Sequence, residues 1–327
     1  RLSRRVIRPM QRIPSMDPAR RARLLRSATY ASVTVAVCLV IAKAWAWQAT
    51  GSVSMLSSLA DSLLDCLASG LTFWAVRYSM SPADAEHRFG HGKSEGLAAL
   101  IQGLIISGSG LFVCGEAVAR LMAPRQIEQT EAGLMVIIGA TAATFLLVAY
   151  QRFVGRRTGS VAIGADAMHY SADLLVNIGV GAALYVSART GWLLLDPLVG
   201  LAIGGYVLLS SVKMIAQALD ILLDREIPDT DRYRLQQIAL AHPDVLGLHD
   251  MRTRHGGAHY IVQFHLDLPH HISLWRSHEI LDEVESSIQR EYPGCEIIIH
   301  PDPLGIAEAR DPFETRDGDA ESGNTAT

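Results

Sequence analysis

The sequence predicts an all-α membrane bundle of six transmembrane helices, followed by a C-terminal cytoplasmic α+β domain of order α-β-β-α-β. Three observations carry that expectation. Apolar residues, 49% of the 327-residue chain, are concentrated in six successive runs before about residue 220. Basic residues are unevenly shared between the two sides of those runs. Beyond residue 220 the pattern turns charged and alternates between helical and strand periods.

The runs cover approximately 28–49, 53–79, 95–122, 132–151, 161–188 and 192–219. Each reaches the ~20 residues a helix needs to cross ~30 Å of hydrocarbon. One such run could be a buried core helix, but six in succession point to a bilayer. A basic arm, residues 1–26, precedes the first, with arginines spread from Arg1 to Arg26. Arg88 and Lys93 lie between the second and third runs, and Arg152, Arg156 and Arg157 between the fourth and fifth. The opposite side carries mainly Arg120, Arg125 and Arg189. Excess Lys and Arg mark the cytoplasmic side, so both termini are expected there, with a bilayer domain over 27–222. The arm suits anionic lipid headgroups more than nucleic acid, for which nothing else in the chain argues. It does not read as a cleavable signal, since no short apolar segment and small-residue cleavage site follow it. Lys43, Glu116 and Lys213 fall near span ends, where long side chains snorkel to the interface. The four cysteines, Cys38, Cys66, Cys114 and Cys295, are scattered without a CxxC, so no disulfide framework or thiolate zinc knuckle follows.

A polar junction, Leu223 to Asp229, ends the sixth run and opens a domain expected over 223–308. Residues 229–242 suit a helix stopped by Pro243, and a strand follows near 246–254. After the turn His255-Gly256-Gly257, residues 259–268 alternate cleanly. Tyr260, Val262, Phe264, Leu266 and Leu268 share one face, with Ile261, Gln263, His265 and Asp267 on the other. A helix over about 273–291 is read with Leu274, Leu281, Val284 and Ile288 inward, ended by Pro293-Gly294. Cys295–His300 completes the order as a last strand. The core of so small a domain is modest, and dimerisation or bound metal would help stabilise it. Residues 309–327 form a polar tail with the composition of a disordered segment.

Two helical pairs carry the chemistry. Asp61-Ser-Leu-Leu-Asp65 lies in the second run and His169-Tyr-Ser-Ala-Asp173 in the fifth. A carboxylate at mid-membrane costs roughly 2.5–3.5 kcal/mol even on lenient insertion scales. Spacing of i,i+4 puts each pair on one helical face. Asp65 and Asp173 fall near the centres of their spans, so the four groups could meet near the midplane, where transporters bind their cargo. Three carboxylates and an imidazole suit tetrahedral Zn2+, and also Fe2+, Cd2+ or Co2+, whereas Mg2+ and Ca2+ prefer six or more oxygens. The competing structural reading is a polar network stapling two helices. Asp166 reads as an entrance or supporting group, and Asn177 either orients a ligand or bonds between helices. In the loop after the second run, Asp84, His87 and His91 lie on a Gly-bearing segment that could hold a metal or could be solvated. In the soluble domain His265 and Asp267 share a face, with His249 on the neighbouring strand, His300 and Asp302 at the third, and His278 on the intervening helix. Convergence of these groups is plausible but not fixed by spacing. His242, His255, His259, His270 and His271 read as surface or turn residues.

The motifs Leu59-Ala-Asp-Ser-Leu-Leu-Asp65, His87-Arg-Phe-Gly-His-Gly-Lys-Ser-Glu95, Ala165 to Asn177, Asp196-Pro197, His249-Asp-Met-Arg-Thr-Arg254 and Ile298-Ile-His-Pro-Asp302 together resemble the cation diffusion facilitator family. The likeness spans about 25–305 and is nearest the bacterial zinc/iron exporter branch. It implies a homodimer with six spans per protomer and a metallochaperone-like cytoplasmic domain. It implies a transport site at Asp61, Asp65, His169 and Asp173, and a loop site at Asp84, His87 and His91. It further implies a regulatory site at His249, His265, His278, His300 and Asp302, and a charge interlock between Lys93 and Asp224. Pro301 stands where related proteins can supply a polar side chain. In manganese members the fifth-span pair is usually two aspartates, which sets this chain apart.

The expected function is proton-coupled export of divalent transition metals across the bacterial inner membrane, with His169 carrying protons because imidazole titrates near neutrality. The chain is not expected to be an enzyme. An intramembrane metalloenzyme needs an activated water and a general base, yet the sequence has no HExxH and no Ser-His candidate at depth. A metal sensor alone would leave six crossings without a purpose.

Overall fold

Helix α1 (Pro18–Thr50) starts earlier than its apolar run, inside the stretch read as a basic arm. The reason is local: Pro18 is preorganised for the first turn, and the Asp17 carboxylate accepts the Arg20 backbone N–H at 3.0 Å. Gly51, at φ 62°, closes the helix on the Trp47 carbonyl. The structure is a computed structural model that describes residues 16–305 apart from 52, 123–130, 191–193 and 258. Most of the arm and the 309–327 tail therefore lie outside the described residues.

Five further long helices follow: α2 (Val53–Ser79), α3 (Ser94–Met122), α4 (Glu131–Thr158), α5 (Val161–Thr190) and α6 (Leu195–Leu222). Among the described residues, five helices are long and apolar enough to cross a membrane. The sixth, α5, matches them in length and carries Asp166, His169 and Asp173 along its apolar run. The six form one compact unit, in which α3 packs most extensively on α6, α1 on α2, and α4 on α5. Small residues set the α3–α6 approach. A Cβ on Gly103 would lie 2.7 Å from the Ile215 side chain, and one on Gly204 2.5 Å from Cys114 Sγ.

The unit exposes large apolar side chains and buries polar ones among its apolar core, unlike a soluble bundle. Trp45, Leu64, Leu67, Leu111 and Phe112 are exposed, whereas Asp166, Gln102 and Ser69 have no exposed surface. Lipid would cover the former, and only protein partners can satisfy the latter.

The second compact unit carries α7 (Asp229–Leu240), β1 (Gly247–His255), β2 (Tyr260–Leu268), α8 (Leu274–Glu291) and β3 (Glu296–Pro303). Its order matches the expectation. The sheet runs β1-β2-β3, antiparallel between β1 and β2 and parallel between β2 and β3. Tyr260, Val262, Phe264, Leu266 and Leu268 are buried as their alternation requires. Strand β3 runs three residues beyond the expected His300, through Pro301 and Pro303, which an edge strand tolerates. On α8 the inward face is Ser277, Ile280, Val284 and Ile288. Leu274, expected inward, is 85% exposed, because it sits in the first turn just after the Ser273 cap.

Candidate metal centres

Helices α2 and α5 bring Asp65, His169 and Asp173 together. His169 Nε2 lies 3.0 Å from Asp65 Oδ1 and 3.7 Å from Asp173 Oδ2. One ligand atom from each of the three lies within 4.8 Å of the others. The His169 side chain is 5% exposed, and the buried Oδ2 of Asp173 has no hydrogen-bond partner. A buried lone-pair atom without a donor is costly, and a cation at this point would satisfy it. Asp61 shares the helical face but not the cluster: it lies one turn earlier and is exposed. Asn177, one turn beyond Asp173, is also exposed.

Below this cluster on α5, Asp166 is fully buried and accepts hydrogen bonds from three other helices. Ser32 Oγ donates at 2.6 Å, Gln151 Nε2 at 2.5 Å and Gln102 Nε2 at 3.4 Å. Ser32 also bonds Ser69, which meets the Tyr170 hydroxyl at 2.7 Å. The carboxylate read as an entrance or supporting group is thus a junction of α1, α3, α4 and α5. Gln102 and Gln151 escaped the sequence reading because an amide carries no charge to mark it. Their position inside apolar runs was the available signal.

The loop joining α2 to α3 folds on Asp84. Its Oδ1 accepts the backbone N–H groups of Glu86 at 2.9 Å and His87 at 2.7 Å, an Asx turn. Those bonds, His87 first, hold the carboxyl below the usual Asp range. His87 Nδ1 then lies 3.4 Å from Oδ1 and His91 Nε2 3.3 Å from Oδ2. His91 is buried against Tyr78, their rings 4.3 Å apart. Asp84, His87 and His91 offer three ligand atoms within 4.8 Å of one another.

In the sheet, register does the assembly. His249 pairs with His265, and His265 with His300, in one cross-strand row; Asp267 and Asp302 stand opposite each other two residues on. Asp302 is buried at the centre. Its Oδ2 lies 2.7 Å from His265 Nδ1 and 3.5 Å from His249 Nε2, and its Oδ1 3.2 Å from His300 Nε2. His249, His265 and Asp302 meet the three-ligand geometry. A register shift after His249, with Asp250 at φ 47°, bends β1 beside them. His278 stands apart, 69% exposed and 3.7 Å from Asp282 on its own helix. Lys93 precedes α3 in the first unit. Asp224 opens the second, where it pairs with Arg254 at 3.5 Å.

Comparison with known proteins places both units. Residues 29–223 match the family model described as the cation efflux transmembrane domain, and 227–304 the cation efflux protein cytoplasmic domain. A cation-efflux pump FieF of Pectobacterium carotovorum is 42% identical over 283 residues, 86% of this chain and 94% of that protein. One from Klebsiella pneumoniae is 42% identical over 287 residues, 88% of this chain and 95% of that protein. Among solved structures, the metal-bound C-terminal domain of the CzcD transporter from Thermotoga maritima aligns at 22% identity and a TM-score of 0.24. That alignment covers 24% of this chain and 95% of that one.

Proposed function

The chain belongs to the cation efflux family of multi-pass membrane transporters, and from that premise we propose that it exports divalent transition metals from the cytoplasm in exchange for protons. Zn2+ is the foremost cargo, and Fe2+, Cd2+ and Co2+ suit the same ligands. The observation that carries the reading is the meeting of Asp65, His169 and Asp173 inside the bundle, with the buried Asp173 Oδ2 unpartnered.

Asp65, His169 and Asp173 take the metal, joined by Asp61 as the fourth ligand once its side chain turns inward. Rocking of the helices then opens the site to the other side. Metal needs a neutral imidazole, so protonation of His169 opposes binding and makes it the proton carrier. The site is non-enzymatic: it binds and releases without making or breaking covalent bonds.

The loop cluster of Asp84, His87 and His91 and the sheet cluster of His249, His265, His300 and Asp302 bind the same class of ion. The sheet cluster steadies a homodimer through the cytoplasmic domain, where a second copy would bring further ligands to the exposed His278. The protein resides in the bacterial inner membrane with six crossings and both termini cytoplasmic, as its Lys and Arg placement supports.

The test is proton-driven Zn2+ flux in proteoliposomes. Asp65→Ala and Asp173→Ala should each abolish it. Wild-type flux in either variant overturns the site assignment.

A further inference from the structure

Lys43 occupies an unusual position for a cation in a membrane span. Its stem would allow it to snorkel to the interface, but the side chain turns onto α2 instead. Nζ donates to Ser62 Oγ at 2.6 Å and to the Ser58 carbonyl at 3.2 Å. Ser62 follows Asp61 directly and lies one turn before Asp65 on the next face. The ammonium is partly buried and interacts electrostatically with Asp65 most strongly, then with Asp61 and Asp173. Its two hydrogen-bond partners are nonetheless neutral oxygens. The charge is therefore held beside the carboxylates without occupying the ligand positions.

That placement has a charge consequence. Once Asp61 has turned inward, Asp61, Asp65 and Asp173, with a neutral His169, exceed the charge of one divalent cation by a single negative unit. A buried net charge is strongly disfavoured in a low-dielectric setting. Lys43 supplies the one positive charge that cancels the excess. The same field repels an incoming cation, so it weakens metal binding and favours release.

We propose that Lys43 is a positioning residue for transport: a fixed internal counter-cation that neutralises the loaded site and keeps metal affinity low enough for turnover. This inference rests on the transport-site reading above. It differs from a purely structural tie between α1 and α2, for which any donor able to reach Ser62 would serve.

The experiment is Zn2+ flux against Zn2+ concentration in proteoliposomes for wild type, Lys43→Gln, Lys43→Arg and Asp65→Asn. Lys43→Gln keeps a donor and removes the charge. It should lower KM on the order of tenfold and lower the maximal rate with it, because metal leaves slowly. Lys43→Arg should return both values toward wild type. An unchanged KM in Lys43→Gln overturns the proposal, as does a matching loss in Lys43→Gln and Lys43→Arg. If Lys43→Gln does not fold, Lys43→Met is read by the same criteria. Asp65→Asn separates the two readings: wild-type flux there sinks the transport site itself, whereas no flux there with an unaltered Lys43→Gln sinks only the role of Lys43.

Discussion

His169 on α5 and Asp65 on α2 are 104 residues apart in sequence and 3.0 Å apart in space, imidazole Nε2 to carboxylate Oδ1. Asp173 approaches the same Nε2 at 3.7 Å from one turn along α5. The imidazole is thus the common neighbour of both carboxylates, so its chemistry sets what the cluster accepts.

Replacing that imidazole by an oxygen ligand should change the cargo. His169→Asp leaves an all-carboxylate set, which suits harder ions such as Mn2+ better than Zn2+. Competitive flux in proteoliposomes should show Zn2+ transport falling and Mn2+ gaining relative to wild type. Unchanged preference would mean that His169 is not a ligand.

Asp166 should prove a structural junction. Asp166→Ala strands the buried Gln151 amide donor, at about 1–3 kcal/mol for such a group left unpaired, whereas Ser32 keeps Ser69 and Gln102 keeps the Ala68 carbonyl and Thr72. Asp166→Asn should cost much less, because the Ser32 hydroxyl can rotate and the Gln151 amide can turn its unpartnered Oε1 toward the new NH2. Thermal unfolding in detergent should therefore rank wild type, then Asn, then Ala. Equal midpoints for Ala and wild type would remove Asp166 from the packing account.

Much of this arrangement was legible in the sequence, and the exceptions have physical causes. Strict alternation gave β2 its faces, and the Pro293-Gly294 stop gave α8 its end, so the soluble order could be read directly. The i,i+4 pairs pointed to the two helices whose Asp65, His169 and Asp173 meet. Periodicity fixes a face, however, and not how far a neighbouring helix reaches along it, so it could not show Asp61 lying outside the cluster. Nor could it show Lys43 turning toward Ser62 instead of the interface. The cross-strand row of His249, His265 and His300 depends on register, and the bend at Asp250 leaves no mark in a pattern of polar and apolar residues.

Cys295 should be inert while the protein is folded. It is buried, and desolvation, helped by the nearby carboxylates of Glu296 and Glu285, pushes its thiol up to about 12. The folded state therefore keeps a proton that the unfolded chain releases near its ordinary value of about 8.5. That stabilisation is complete below about 8.5 and is lost as pH rises from there through about 12. Iodoacetamide at pH 8 should leave Cys295 unlabelled by mass spectrometry until denaturant is added. Rapid labelling of the native protein would contradict the burial.

Zinc should stabilise the full-length protein through the sheet cluster, with a dependence on pH that the ligands set. Asp302 draws His265, His249 and His300 around one buried carboxylate, so the donor atoms are gathered before any ion arrives. An ion that binds only the folded state adds RT ln(1 + [L]/Kd), roughly 2.7 kcal/mol at a hundredfold excess over Kd. Histidine must be neutral to bind it, so acidification opposes the gain. The unfolding midpoint of wild type should rise with Zn2+ at pH 7.5 and much less at pH 5.5. His265→Ala should lose most of the rise at pH 7.5 while Asp65→Asn retains it, which separates the sheet cluster from the one within the bundle. An equal rise in wild type and His265→Ala would show that the sheet histidines do not bind the ion.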